Sequence, residues 1–202
     1  FSLADSFTNI YGNATFNARW NHLFSNKLFS NLSFIYSDYF YGFELDFIGF
    51  TWYSNIRNYN IKYDFKNYVS NNLKLDYGVS AIYYDFNPGV ISPNSPDSGI
   101  NYFELDKKYA FEPAIYINAE QEISEKISIN YGLRYSMFYR MGTSTVNIYE
   151  DNNPVVFNSD FQIYEKGTPI ATEFYGKNKV IASYDNFEPR FSVAYELDQN
   201  KS

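Results

Sequence analysis

The sequence predicts an all-β chain: a segment of an antiparallel transmembrane β-barrel, with about 7–9 long strands, short turns at one end and long loops at the other. Three observations predict it. Apolar and polar residues alternate over stretches too long for an ordinary globular strand. Tyr (22) and Phe (20) crowd a chain of 202 residues whose mean hydropathy is nonetheless negative. Short polar turns and longer segments follow one another strictly along the chain. Residues 1–202 read as part of a single barrel domain.

Seven strands can be justified in chain order, each with an apolar and a polar set at period two. Asn13 to Leu23 sets Ala14, Phe16, Ala18 and Trp20 against Thr15, Asn17, Arg19 and Asn21. Asn31 to Tyr39 sets Leu32, Phe34 and Tyr36 against Asn31, Ser33 and Ser37. Tyr53 to Phe65 carries Tyr59, Ile61, Tyr63 and Phe65 against Asn58, Asn60, Lys62 and Asp64. Leu73 to Phe86 carries Leu73, Leu75, Tyr77, Val79, Ala81 and Tyr83 against Lys74, Asp76, Gly78 and Ser80. Pro113 to Ile123 sets Ile115, Ile117 and Ala119 against Glu112, Asn118 and Glu120. Ile127 to Tyr139 is the clearest, apolar at every odd position and mostly small or polar at the even ones. Asp185 to Leu197 sets Phe187, Pro189, Phe191, Val193, Tyr195 and Leu197 against Asn186, Glu188, Arg190, Ser192 and Glu196.

Short turns fall at Ser25-Asn26-Lys27, Ser70-Asn71-Asn72, Ser124-Glu125-Lys126 and Asp198-Gln199-Asn200-Lys201. Longer segments run from Tyr41 to Phe50, Asn87 to Lys107 and Met141 to Val180, the last with room for a hairpin around Val155–Tyr164 and Ile170–Tyr175. Outer-membrane barrels combine short periplasmic turns with long extracellular loops. Aromatics recur at similar offsets after each turn: Tyr36, Tyr39, Phe40 and Tyr41; Tyr83, Tyr84 and Phe86; Tyr135, Phe138 and Tyr139. About 12 residues of tilted strand climb roughly 30 Å, so these read as a belt at one interface. Phe24, Phe29, Tyr68 and Tyr195 would mark the other. A soluble β-sandwich also explains alternation, but not the strand length or the turns gathered at one end.

Composition excludes several classes. With 16 basic and 23 acidic residues the formal charge is −7, which argues against a nucleic-acid partner. Cysteine is absent, so neither a disulfide framework nor a thiolate metal site is available. No run of 18 apolar residues offers a membrane helix. The chain starts at Phe1 with no charged leader and ends at Ser202 beside a turn, after an odd number of clear strands. We expect a slice of a longer barrel, because an open sheet cannot stand alone in a bilayer.

Several stretches carry a family resemblance: Ala14–Phe24 with Ser25-Asn26-Lys27-Leu28, Tyr77–Tyr84 with Asp85-Phe86-Asn87-Pro88-Gly89, Glu112-Pro113-Ala114-Ile115, Tyr131-Gly132-Leu133-Arg134-Tyr135 and Tyr184-Asp185-Asn186-Phe187-Glu188-Pro189-Arg190. They resemble the barrel of TonB-dependent outer-membrane receptors, and the style is like that of the large glycan- and peptide-importing branch. The resemblance implies localisation in the bacterial outer membrane and a 22-stranded barrel filled by a plug, of which this is about a third. It implies energy-coupled uptake of a nutrient: a glycan, a peptide or a siderophore-like chelate. The implied partners are outer-membrane lipid, the rest of the barrel and its plug, TonB through the plug, and a surface lipoprotein lid. A structural component of a multi-protein outer-membrane assembly, or a small standalone barrel, is the alternative.

No catalytic constellation, cofactor motif or metal-ligand spacing is present, and the chain does not read as an enzyme. His22 is the lone histidine. Glu150-Asp151-Asn152-Asn153-Pro154 gathers oxygens without the spacing of a calcium loop. Arg19, Lys62, Asp64, Lys74, Asp76, Glu112, Glu120, Arg134, Glu188 and Arg190 fall on inward faces. They either contact a plug or substrate, Arg19, Glu120, Arg134, Glu188 and Arg190 foremost, or pair with one another across strands. Among the aromatics of the longer segments, with Phe43, Phe47 and Phe50, we expect Trp52, Tyr102 and Phe103 to be ligand contacts; belt membership or loop packing is the other reading.

Overall fold

The computed structural model describes residues 7–46 and 48–197. Seven long strands form one antiparallel meander: β1 (Phe7–Ser25), β2 (Leu28–Leu45), β3 (Phe50–Ser70), β4 (Leu73–Pro93), β6 (Lys108–Ser124), β7 (Ile127–Met141) and β12 (Val180–Tyr195). A two-residue strand, β5 (Phe103–Glu104), adds to the outer end of β4. The sheet is open, with β1 and β12 at its two edges. The all-β expectation holds, and all seven strands stand where alternation placed them. They are longer than the sequence indicated, reaching 21 residues in β3 and β4.

The extra length comes from the loop end. Most of the segment expected as a loop at Tyr41–Phe50 is strand, and only residues 46–49 connect β2 to β3. Trp52 therefore lies inside β3 and Phe103 inside β5, while Tyr102 precedes β5 in the connection. The extension reads as loop in sequence because its aromatics fall on both faces and blur the alternation. In the long segment after β7, β8 (Ser144–Ile148) pairs β11 (Ala171–Tyr175), and β9 (Val155–Asn158) pairs β10 (Ile163–Lys166). The hairpin expected there exists, but Ala171–Tyr175 takes its partner from upstream. The fourth turn, Asp198–Lys201, and Phe47 lie outside the described residues.

The three tight turns are copies of one device. Register shifts by one residue at Leu23/Ser25, Tyr68/Ser70 and Glu122/Ser124, immediately before each turn. A bulge of this kind tightens the local twist and aims the chain back. The serine after each bulge then accepts from the turn backbone. Ser25 Oγ takes the N–H groups of Lys27 and Leu28 at 3.2 and 3.1 Å, Ser70 Oγ that of Asn72 at 3.3 Å, and Ser124 Oγ that of Lys126 at 3.4 Å. A short hydroxyl side chain satisfies turn donors that no strand can reach. The carbonyls of Lys27, Asn72 and Lys126 accept from Tyr68, Glu122 and Glu196 on the next strand over.

Register sorts every side chain to a face, since directly paired residues point the same way. One face is apolar across all seven strands. Its central rows read Trp20, Leu32, Tyr63, Val79, Ile115 and Tyr135, then Ala18, Phe34, Ile61, Ala81 and Pro113. Towards the loop end, Phe16, Tyr36, Tyr59, Tyr83, Phe111 and Tyr139 form one aromatic row in register. The next row out is charged: Asp38, Arg57 and Asp85 lie side by side, with Arg57 Nε donating to Asp38 at 2.8 Å. From β1 to β7, no Asp, Glu, Lys or Arg stands on this face between the aromatic row and the turns. On edge strand β12, Asp185 does, and the Tyr135 hydroxyl donates to it at 3.1 Å.

The expected aromatic belts are corrected in part. Tyr36, Tyr83, Tyr135 and Tyr139 hold the apolar face, but Tyr39, Tyr41, Tyr84 and Phe138 point to the polar one. Offset counting places a residue by height and not by face. At the turn end, Phe24 and Tyr195 are on the apolar side, whereas Phe29 stacks on Tyr68 across the polar side.

Nothing described covers the apolar face. Val79, Ile115 and Ile117, at the centre of the sheet, are 50, 56 and 51% exposed, and among the described residues the buried hydrophobic ones are only Ala114 and Ala119. The accessible surface is 14635 Å², against roughly 9,800 Å² for a compact monomer of 23.7 kDa.

Candidate functional site

The polar face carries the chemistry, all but Glu112 at its turn half. β3 contributes Lys62, Asp64 and Lys66, β4 Lys74 and Asp76, β6 Glu112, Tyr116 and Glu120, β7 Arg134, and β12 Glu188 and Arg190. Each follows from strand parity, one residue out of step with the apolar set. Lys66 meets Asp76 at 3.7 Å, Lys62 meets Asp64 at 2.9 Å, and Lys74 pairs with Glu120. Arg134 and Arg190 approach Glu188 at 3.8 and 3.6 Å, and Ser136 donates to the same carboxylate. Tyr84 donates to Glu112 at 3.1 Å.

Two interior glycines let this network form. Gly78 lies between Asp64 and Tyr116 in register. The Tyr116 side chain crosses over it and donates to Asp64 two strands away. A Cβ at Gly78 would fall 2.6 Å from the Tyr116 hydroxyl and would also strike the Tyr63 carbonyl. Gly132 lies between Asn118 and Arg190, and a Cβ there would fall 2.6 Å from Asn118 Oδ1. Glycine inside a strand marks close approach of this kind. Lys62 Nζ and Arg134 Cζ sit 5.5 and 5.9 Å from the centre of the Tyr116 ring, within cation–π range.

The structure thus joins Lys62, Asp64, Arg134, Glu188 and Arg190 in one cluster and Lys74, Glu120, Asp76 and Lys66 in another. Arg19 is apart, on β1 opposite Ser33, and makes no ion pair among the described residues. Of the charges named from the sequence, Lys74, Asp76, Glu120, Arg134 and Glu188 pair across strands, whereas Lys62 with Asp64 and Arg190 with Glu188 pair along one strand. Tyr116 and Lys66 were missed; the glycines at 78 and 132, in mid-strand, are the signal that would have found Tyr116.

The three aromatics expected as ligand contacts separate. Trp52 is on the polar face at the loop end, 5.3 Å from the Phe43 ring and 5.7 Å from Tyr41. Phe43 also meets Phe7 and Phe50. The indole lies over Gly89, where a Cβ would come within 2.5 Å of Nε1. Tyr102 and Phe103 are exposed in the β4–β6 connection, outside this group. Tyr102 donates to Glu104 at 2.8 Å, and this bond to a carboxylate pushes its phenol above the ordinary tyrosine range. The Tyr175 phenol is raised for the same reason by Glu173.

Among the described residues, no three His, Cys, Asp or Glu side chains gather as a metal site. His22 sits on the apolar face between the Trp20 and Phe24 rings, at 5.4 and 4.5 Å. Glu150–Asn152 forms a short 3-10 turn with Asp151 and Asn152 at positive φ. The chain matches no family model, no curated protein and no solved structure.

Proposed function

We propose that this sheet is part of the wall of an outer-membrane β-barrel transporter, with its apolar face against lipid and its polar face towards the interior. One observation carries the reading. A seven-stranded apolar face, free of charge between its aromatic row and its turns on the six long strands from β1 to β7, has nothing described packed on it. A water-soluble domain would bury such a surface; only hydrocarbon accepts it bare.

The dimensions support it. Leu73 to Tyr83 on β4 is ten residue steps, about 33 Å of strand, which a tilt near 40° reduces to roughly 25 Å, the height of the apolar band in such barrels. Tyrosines then fall at the interface, and Asp38, Arg57 and Asp85 at the headgroups. On this reading the tight turns are periplasmic and the β8–β11 lobe is extracellular. The edges of β1 and β12 accept further strands, because unpaired backbone groups are costly in lipid. Energy-coupled import of a nutrient through a plugged barrel, with TonB as the driving partner, is the activity we assign, and its support is the sequence resemblance.

The test is the intact polypeptide in the outer-membrane fraction, weighed by mass spectrometry. A membrane protein several times 23.7 kDa, with peptides from a plug, fits the receptor. A soluble protein removes the membrane reading. A membrane protein near 23.7 kDa removes the receptor and favours a small barrel or a wall completed by partners.

A further inference from the structure

We infer that the polar face holds a built anion site, a hollow of about 190 Å³ lined by Lys62, Tyr116, Asn118, Gly132, Arg134 and Arg190. Its ligand is a carboxylate or phosphate group. The inference rests on the barrel reading for access alone, since that reading makes the polar face the interior surface.

Charge is the first ground. Three cations converge in a chain of formal charge −7, and two carboxylates stand beside them, Asp64 against Lys62 and Glu188 against both arginines. The hollow therefore keeps one positive charge uncompensated by its neighbours. Hydrogen bonding is the second ground. At 3.8 and 3.6 Å, neither arginine contact to Glu188 is a hydrogen bond. Glu188 therefore leaves the planar donor forks of Arg134 and Arg190 open to a bidentate acceptor.

Preorganisation is the third. Tyr116 crosses over Gly78, tied to Asp64, and its ring lies within cation–π range of Lys62 and Arg134. Those cations are placed before any ligand arrives, so binding orders little. The hollow exists because residue 132 is glycine: a side chain there would run into Asn118.

Two sources can supply the anion. One is an acidic side chain of a protein segment occupying the interior, and the other is a free anionic solute. The full-length protein purified from membranes distinguishes them by its unfolding temperature, with and without inorganic phosphate. Four proteins are compared: wild type, the Arg134→Gln/Arg190→Gln double variant, Gly132→Ala and a Lys66→Gln/Asp76→Asn control. If a solute binds, phosphate in large excess raises the wild-type temperature by about 3 °C or more, and neither the double variant nor Gly132→Ala responds. If a built-in carboxylate occupies the hollow, phosphate does nothing, and the double variant and Gly132→Ala both unfold earlier than the control. Phosphate-insensitive proteins with both site variants matching the control would overturn the site. Membrane fractionation of the same preparations reports separately on the barrel reading, so the two can fail independently.

Discussion

On the apolar face Val79, Ile115 and Ile117 meet only their neighbours in the sheet, such as Tyr63, Leu133 and Tyr135, and whatever lies outside it. One residue further along the same strands, Gly78 and Tyr116 are locked into a network reaching Lys62, Asp64 and Arg134. The apolar face is uniform: exchanging one aliphatic residue for another alters little, because no partner is specified. The polar face is particular: small residues make room for named long ones, and Asp64, Asp76, Glu120 and Glu188 each meet a named cation. The difference teaches that period-two alternation serves two purposes at once. It gives the solvent of one face by composition and the geometry of the other by identity.

The strongest way to break this comparison is to move charge between faces. Ile117→Lys puts an ammonium at the centre of the bare face and is expected to cost about 2–4 kcal/mol, read as loss of folded protein from the membrane. Asn130→Lys, on the polar face opposite Glu120, is expected to fold like wild type. Equal behaviour of the two would end the lipid-facing assignment.

Next in size is Gly78→Val. It forces Tyr116 off its seat and strikes the Tyr63 carbonyl, for about 1–3 kcal/mol in urea unfolding. Adding Tyr116→Ala should recover part of this loss. Full additivity would mean that Tyr116 does not depend on the glycine.

A smaller effect separates the paired charges from the network. Lys66 and Asp76 are both about a third exposed on their side chains, so Lys66→Ala should cost well under about 1 kcal/mol and lose its salt dependence. A cost equal to that of Gly78→Val would show that simple pairs hold the polar face as firmly as the Tyr116 network does.

The smallest is a titration in the connection outside both faces. Tyr102 should ionise at higher pH than an ordinary tyrosine, and Glu104→Gln should bring it down. The raised value favours the protonated form, so its contribution is present at neutral pH and fades as pH climbs through the shifted range. Labelled-tyrosine NMR across alkaline pH reads it; an unshifted Tyr102 would mean that the Glu104 contact is absent in solution.

Legibility tracked the range of each cause. The seven long strands and three described tight turns were readable because alternation and the Ser-led turns are local patterns, each contained within one strand or one turn. The placing of Ile115 and Leu133 on the apolar face was readable for the same reason, as was that of Arg134 and Glu188 on the polar one. The strand extensions past Tyr41 and Phe86 were not, since aromatics on both faces erase the period. Trp52 therefore read as a loop residue although it packs in β3 over Gly89.

By itself, then, the sequence determined, wherever the alternation is clean, which residues share a strand and which face each occupies, since the pleat fixes both from one residue to the next. Register decided the rest. The pairing of Gly78 with Tyr116, and of Gly132 with Arg190, joins residues 38 and 58 positions apart. Which long side chain lies over which glycine, and so where three cations gather, depends on how separate strands align, and no local pattern carries that alignment.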